Sequence, residues 1–144
     1  MTIWELVSTL TKTKPLVSVT LNTTTTVHIE RYFVNSPHII APPLPATGMM
    51  VHLSGAKITA GSNKNTMREF IPSQSMVLPY NLPSEWYSCG AVDIAIFYFL
   101  DTEEKQAKRL QNLVSQQPQM HGLNNPLVHS LAMRIVEKLQ RGSR

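Results

Sequence analysis

Five histidines are the side chains of this 144-residue chain that are most readily used for chemistry, because imidazole binds metal ions and titrates near neutral pH. They stand at positions 28, 38, 52, 121 and 129. A metal site in a small β-barrel is best marked by two histidines that alternate on one strand, and no H-x-H pair occurs here. His28 and Glu30 do share one strand face, and His52 could join them from a neighbouring strand. This arrangement gives a metal-dependent enzyme only weak support.

Other catalytic arrangements are missing from the sequence. No G-x-S-x-G motif is present, so nothing marks a serine nucleophile. Paired carboxylates for acid–base work are not found, since Glu30, Glu69, Glu85 and Asp93 are scattered one to a segment. No glycine-rich loop opens a helix, so no phosphate-binding loop is predicted. We therefore predict a protein that is not an enzyme and that uses neither a cofactor nor a bound metal.

Aromatic and polar side chains at inward positions of a closed sheet could instead line a cavity for one small ligand. Trp86 and Tyr98 would supply apolar walls, and Arg68 could pair with a carboxylate. The competing explanation is a filled core for each aromatic residue and a solvated strand edge for Arg68. The predicted ligand-binding residues are His28, Tyr32, His52, Arg68, Trp86 and Tyr98.

The predicted ligand-binding residues lie in segments whose residue pattern is typical of β-strands. The most apolar run, 92–99, follows Gly90, is rich in β-branched and aromatic residues, and has both faces apolar, which predicts a strand buried on both sides. In the segment 26–34, the side chains of His28, Glu30 and Tyr32 alternate with apolar ones on the opposite face.

Further short strands are predicted at close spacing between Pro, Gly and Asn turns, about nine in all, which is typical of a sandwich or barrel. They cover 16–21, 26–34, 38–41, 49–54, 56–60, 66–71, 76–78, 85–88 and 92–99. Gly55 lies between the fourth and fifth of these segments and predicts a hairpin there.

Helical patterns flank the strands. Residues 2–10 predict a short N-terminal helix or an arm, which Lys14-Pro15 ends. A helix is predicted to begin at Asp101, and residues 120–123 form a connection to a last helix that opens near Pro126. That last helix carries a broad apolar stripe, whose residues we predict to form a dimer contact, although all of it could be intramolecular core. The predicted dimer residues are Leu127, Leu131, Ile135 and Leu139.

Composition bounds the class of protein. The chain has a length typical of one domain, and its 42% hydrophobic residues are enough for a real core. Cys89 is the only cysteine, so no internal disulfide can form. We see neither a signal peptide at the start nor an apolar run long enough to cross a bilayer, and we therefore expect a cytoplasmic protein without a membrane partner.

The order of these parts resembles the N-terminal sensor and dimerisation domain of the AraC/XylS family of bacterial transcriptional regulators. The residues that carry the resemblance are M-V-L-P-Y-N-L-P-S-E-W-Y-S-C-G-A-V-D-I-A-I-F-Y-F-L-D at 76–101 and N-N-P-L-V-H-S-L-A-M-R-I-V-E-K-L-Q-R-G at 124–142. The similarity covers roughly residues 16–142, and its support comes from the order of the elements more than from any single motif.

The resemblance implies a mostly β fold with C-terminal α structure: a cupin-like (double-stranded β-helix or jelly-roll) barrel followed by two helices. It implies an arm or short helix at 1–15, a sensor barrel at 16–101 and a helical dimerisation segment at 102–144. It also implies a homodimer that binds a small-molecule effector. The family contacts DNA through a C-terminal double helix-turn-helix domain, which these 144 residues do not contain.

Two rival functions stay open at this point. One is a small cupin metalloenzyme, which would need metal ligands from the barrel strands. The other is a purely structural dimerisation domain whose barrel is filled by its own side chains.

Overall fold

The computed structural model describes residues 3–22, 26–43, 47–62, 64–78, 83–100, 121–123 and 126–142. Two helices lie within these residues, α1 (Ile3–Thr11) and α2 (Pro126–Gly142), together with a single 3-10 turn at Lys64–Thr66. The described strands are β1 (Val17–Asn22), β2 (Thr26–Val34), β3 (His38–Ala41), β4 (Thr47–Gly55), β5 (Ile58–Gly61), β6 (Arg68–Phe70), β7 (Ser75–Leu78), β8 (Ser84–Ser88), β9 (Val92–Phe99) and β10 (His121–Leu123).

The strands form two antiparallel sheets in jelly-roll order. One sheet has six strands in the order β1-β2-β9-β4-β7-β10, and the other has four in the order β3-β8-β5-β6. From β2 to β9 the chain changes sheets at every connection except the one between β5 and β6, which pair with each other. This is the eight-stranded double Greek key of jelly rolls and cupins. The predicted mostly β, cupin-like fold is therefore confirmed.

The main core lies between the two sheets. It takes one face of β2, β4, β7 and β9 and the facing side of β5 and β6, because alternate residues of a strand point to the same side. Its fully buried members include Tyr32, Met76 and Tyr98. Val7 of α1 joins this core from outside the sheets, so α1 packs against the barrel.

A second core lies on the other face of the six-stranded sheet, where α2 packs. Ile29 of β2, Val51 of β4 and Phe97 of β9 meet Ala132 and Val136 of the helix. These strands therefore have apolar residues on both faces, as predicted for 92–99. Among the residues that the structure describes, no helix combines the length and the apolar character that crossing a bilayer requires.

The structure differs from the predicted elements in two places. Strands β4 and β5 do not form a hairpin: β4 pairs with β7 and β9, whereas β5 pairs with β6 and β8, so the chain changes sheets near Gly55. Residues 121–123, predicted as a connection, form β10 and pair with β7. The N-terminal segment is helical, as one of its two predicted forms requires. The helix predicted to begin at Asp101 lies outside the described residues.

Gly55 is required at this change of sheets. Its φ is +102°, and a Cβ there would lie 2.4 Å from the carbonyl oxygen of Ala91. We expect Gly55→Ala to lower the free energy of unfolding by about 2 kcal/mol, measured by urea denaturation. Gly90→Ala is the matched control, because its Cβ would meet Ala56 at an ordinary 3.4 Å. Equal effects of the two substitutions would contradict this role of Gly55.

Candidate functional site

A cavity of about 110 Å³ lies between the two sheets, next to α1. Strands β2, β4, β7 and β9 supply it from the six-stranded sheet, and β3, β5 and β8 from the other. Within the described parts of the chain, its wall is built by Val7, Leu10, Thr11, Val34, Ser36, Ile39, Ala41, Gly48, Met50, Ile58, Leu78, Pro83, Ser84, Trp86, Tyr87, Ser88, Val92, Ile94, Ile96 and Tyr98. None of these side chains carries a charge, so the cavity is an apolar space with a few hydroxyl groups.

Helix α1 covers one side of the cavity. Val7, Leu10 and Thr11 contribute to the wall, and Val7 and Thr11 are buried. The Ser36 hydroxyl donates a hydrogen bond of 3.1 Å to the Thr11 carbonyl, which fixes the end of the helix to the loop before β3. Opening the cavity on this side would require α1 to move.

Most polar groups of the wall are already satisfied by the protein. The Trp86 indole N–H donates to the Ser84 hydroxyl at 2.8 Å, and the Tyr87 hydroxyl donates to the Glu85 carboxylate. The Tyr98 hydroxyl is different, because it is buried and has no hydrogen-bond partner in the described part of the chain. A buried hydroxyl without a partner costs free energy.

A buried polar cluster of His28, Glu30 and Tyr32 lies on the inner face of β2, outside the cavity wall. The Tyr32 hydroxyl donates to Glu30 Oε1 at 3.0 Å, and His28 Nε2 lies 3.8 Å from Glu30 Oε2. His28 Nδ1 and the Thr20 hydroxyl are 2.8 Å apart, which ties the cluster to β1.

Burial changes the proton affinities in this cluster. It raises the pKa of Glu30 from 4.5 to about 7, although hydrogen bonds from Tyr32 and Ser18 act in the opposite direction. Burial lowers the pKa of His28. Both effects favour the uncharged forms, so near neutral pH the cluster holds a neutral imidazole beside a carboxyl group that is partly protonated.

His52 is fully buried on the inner face of β4. Neither ring nitrogen meets hydrogen-bond geometry with any described residue. Burial lowers the pKa of His52, and the backbone near Ile71 and Ser54 opposes that shift without making a regular hydrogen bond. Among the described residues, no group of three or more His, Cys, Asp or Glu side chains converges on a point that could hold a metal ion.

The predicted ligand-binding residues separate into three groups. Trp86 and Tyr98 lie in the cavity wall. His28, Tyr32 and His52 point inward and are buried, but they lie outside that wall. Arg68 is exposed on the edge strand β6, away from the cavity.

The predicted dimer residues also separate. Leu127, Leu131 and Ile135 are 64%, 46% and 39% exposed and follow one another at four-residue spacing along α2. Leu139 is half-buried and packs against the core beneath the helix. We refer to Leu127, Leu131 and Ile135 as the α2 stripe.

An ion pair that sequence reasoning missed joins β2, β9 and α2. Arg31 binds the Asp93 carboxylate through two hydrogen bonds of 3.1 and 2.7 Å, and its Nη1 donates to Gln140 Oε1 at 3.1 Å. Both charged side chains are mostly buried, at 16% and 12% exposure. The sequence feature that could have revealed this ion pair is Asp93, an acidic residue inside the most apolar run of the chain, 92–99.

Comparisons with known proteins give only distant structural neighbours. No family model matches the chain, and no curated protein matches it by sequence. Neighbours among solved structures are cupin-fold proteins. The EutQ protein of Clostridium difficile has a TM-score of 0.45 at 6% identity, over 57% of this chain and 65% of that one.

Two further neighbours are of the same kind. The cupin domain of Schizosaccharomyces pombe Cnp3 has a TM-score of 0.44 at 14% identity, over 64% of this chain and 68% of that one. An RmlC-like cupin from Shewanella frigidimarina has a TM-score of 0.45 at 6% identity, over 61% and 78%. The fold assignment depends on the strand order of the chain itself.

Proposed function

We propose that this chain is the effector-sensing and dimerisation domain of an AraC-type bacterial transcriptional regulator, acting in the cytoplasm. The observation that carries the proposal is the combination of an apolar cavity inside the jelly roll and an exposed apolar stripe on the helix behind it. DNA would be contacted by a double helix-turn-helix domain outside these 144 residues. The role of the domain here is to bind a small molecule and to hold two copies together.

The proposed mechanism is a population shift between two positions of β9 and α2. A ligand in the cavity touches Val92 and Ile94, whose side chains point inward. Asp93 lies between them, points to the other face, and binds Arg31, which also holds Gln140 of α2. A ligand that prefers one position of this end of β9 would therefore change how α2 rests on the sheet.

The occupant we propose for the α2 stripe is a second copy of the chain. A neighbouring face of α2, which contains Ala132 and Val136, is already buried on its own sheet. The stripe spans about 12 Å along the helix and presents its aliphatic side chains at i, i+4 and i+8. This row is the ridge that packs into the matching groove of another helix.

Leu131→Glu is expected to weaken the dimer at least tenfold, because it places a charge at the centre of a desolvated contact. Sedimentation velocity over a range of concentrations measures the effect. Ser130→Glu is the matched control, since Ser130 is exposed on the same helix and lies beside the stripe. A wild-type domain that stays monomeric at high concentration, or a Leu131→Glu variant that dimerises normally, would rule out the proposed pairing.

The rival functions make different predictions. A purely structural pairing domain would dimerise without any ligand-induced rise in melting temperature, whereas a sensor should be stabilised by its ligand. A cupin metalloenzyme would retain metal after reconstitution and purification, which elemental analysis measures. Either result would replace the sensor proposal.

A further inference from the structure

We propose that the cavity takes a neutral, compact, mainly apolar ligand with one hydrogen-bond acceptor, and that the Tyr98 hydroxyl binds this acceptor. The inference rests on the proposed sensing function and names the chemical class of the effector. It is carried by three observations: the hydroxyl without a partner, the charge of the wall and the size of the space.

The Tyr98 hydroxyl is the hydrogen-bond donor of the proposed site. The side chain is 1% exposed, forms part of the cavity wall, and its oxygen has no hydrogen-bond partner among the described residues. Burial raises the pKa of Tyr98, and the nearby Glu30 charge adds to this, so the group stays a neutral O–H donor. A ligand carbonyl, ether or nitrile would satisfy this donor, whereas a pure hydrocarbon would leave it unpaired.

The wall excludes a charged ligand. None of the twenty wall residues that the structure describes is Arg, Lys, His, Asp or Glu. A carboxylate or ammonium group buried there would lose its hydration without gaining an opposite charge, and burying an unpaired charge is strongly unfavourable. Arg68, which could have paired with a carboxylate, is exposed on β6. The ligand is therefore uncharged.

The size of the space sets the size of the ligand. The volume is about 110 Å³, which is somewhat less than the ~150 Å³ of an engineered protein cavity that binds benzene. A single small ring of roughly five to seven non-hydrogen atoms is the largest group that fits without movement of the wall. Trp86, Met50 and Tyr98 offer flat and polarisable surfaces to such a ring.

Three probes of similar size separate these requirements. Cyclopentanone carries one acceptor, methylcyclopentane carries none, and cyclobutanecarboxylate carries a charge. Thermal shift and calorimetric titration with the whole chain at millimolar probe concentrations measure binding, since ligands this small bind weakly. We expect cyclopentanone to bind at least tenfold more tightly than the carboxylate.

Tyr98→Phe tests the proposed hydrogen bond from the Tyr98 hydroxyl to the ligand, and Tyr87→Phe is its matched control. Both tyrosines line the cavity, but the Tyr87 hydroxyl already donates to Glu85. We expect Tyr98→Phe to weaken cyclopentanone about tenfold and to leave methylcyclopentane unchanged. The ligand-free variant should melt no lower than wild type, because it loses a hydroxyl that had no partner. Tyr87→Phe should weaken cyclopentanone clearly less than Tyr98→Phe does, because the Tyr87 hydroxyl is already bonded to Glu85.

Three results would overturn the inference: tightest binding by the carboxylate, equal ketone affinity in wild type and Tyr98→Phe, or no binding of any probe. None of them alters the dimer measured with Leu131→Glu, so the ligand class can fail while the proposed pairing stands. Conversely, a monomeric domain that binds cyclopentanone through Tyr98 would keep the ligand class and remove the dimeric regulator.

Discussion

Asp93→Ala is expected to lower the free energy of unfolding by about 3 kcal/mol, because it leaves the Arg31 guanidinium mostly buried and without its carboxylate. Asp93 accepts two hydrogen bonds from Arg31, and both side chains lie under the end of α2. This loss of unfolding free energy should exceed that of an average point substitution. Urea denaturation measures it directly.

A double-mutant cycle isolates the pair. Arg31→Met/Asp93→Ala should cost clearly less than the sum of its two single substitutions, because the double variant leaves no unpaired charge. Lys57→Met/Glu69→Ala is the matched control, since that ion pair is 53% and 65% exposed and should contribute less than about 1 kcal/mol. Additive effects at Arg31 and Asp93 would show that the pair does not couple β9 to the sheet and α2.

The second large effect concerns pH. Glu30→Gln is expected to stabilise the domain relative to wild type, by an amount that grows by about 2 to 3 kcal/mol between pH 5 and pH 8. The reason is that burial raises the pKa of Glu30 to about 7, so at pH 8 the wild type holds an unfavourable buried carboxylate. Glutamine keeps the shape and can still accept the hydrogen bond from Tyr32.

The sign follows from which state holds the proton more tightly. The folded state keeps the Glu30 proton up to about pH 7, whereas an unperturbed glutamate loses it near 4.5. The stability from this group is therefore full below pH 4.5 and is lost as pH rises through about 7. His28 and His52 act in the opposite sense, since burial lowers their pKa values and their contribution is lost as pH falls below 6.5.

Comparing Glu30→Gln with wild type at each pH cancels His52, which is present in both proteins, whereas His28 lies 3.8 Å from Glu30, so the comparison reports on these two neighbours together. Chemical denaturation at pH 5, 6, 7 and 8 gives the required curve. Glu69→Gln serves as the control, because its side chain is mostly exposed. A constant difference between Glu30→Gln and wild type would contradict the raised pKa.

Much of the fold could be predicted because strand alternation is a local property. The faces of β2 and β9 follow from the residue types of 26–34 and 92–99, and the structure has those faces as predicted. The partner of each strand is not local. Gly55 suits a hairpin or a crossing between sheets equally well. The three residues of β10 become a strand only because they pair with β7.

The site was less predictable for a related reason. Alternation tells which side chains point inward, but it does not tell where along the strand the barrel is empty. His28, Tyr32 and His52 are inward and buried, yet other side chains fill the space around them. Arg68 has the inward register of β6, but an edge strand lets a long side chain turn to solvent.

The place of β9 has a consequence for how the chain folds. It is the partner of both β2 and β4, so the middle of the six-stranded sheet closes only after residues 92–99 have been synthesised. Until then β2 and β4 keep one unpaired edge each, and such edges invite pairing with other chains. The high sequence separation of these pairs also predicts slow folding, on the millisecond-to-second scale typical of β-sandwiches. Strand β9 lines the cavity, and it is also the strand that covers the open edges of β2 and β4. During synthesis, the risk of aggregation through these edges therefore falls only once β9 has been made.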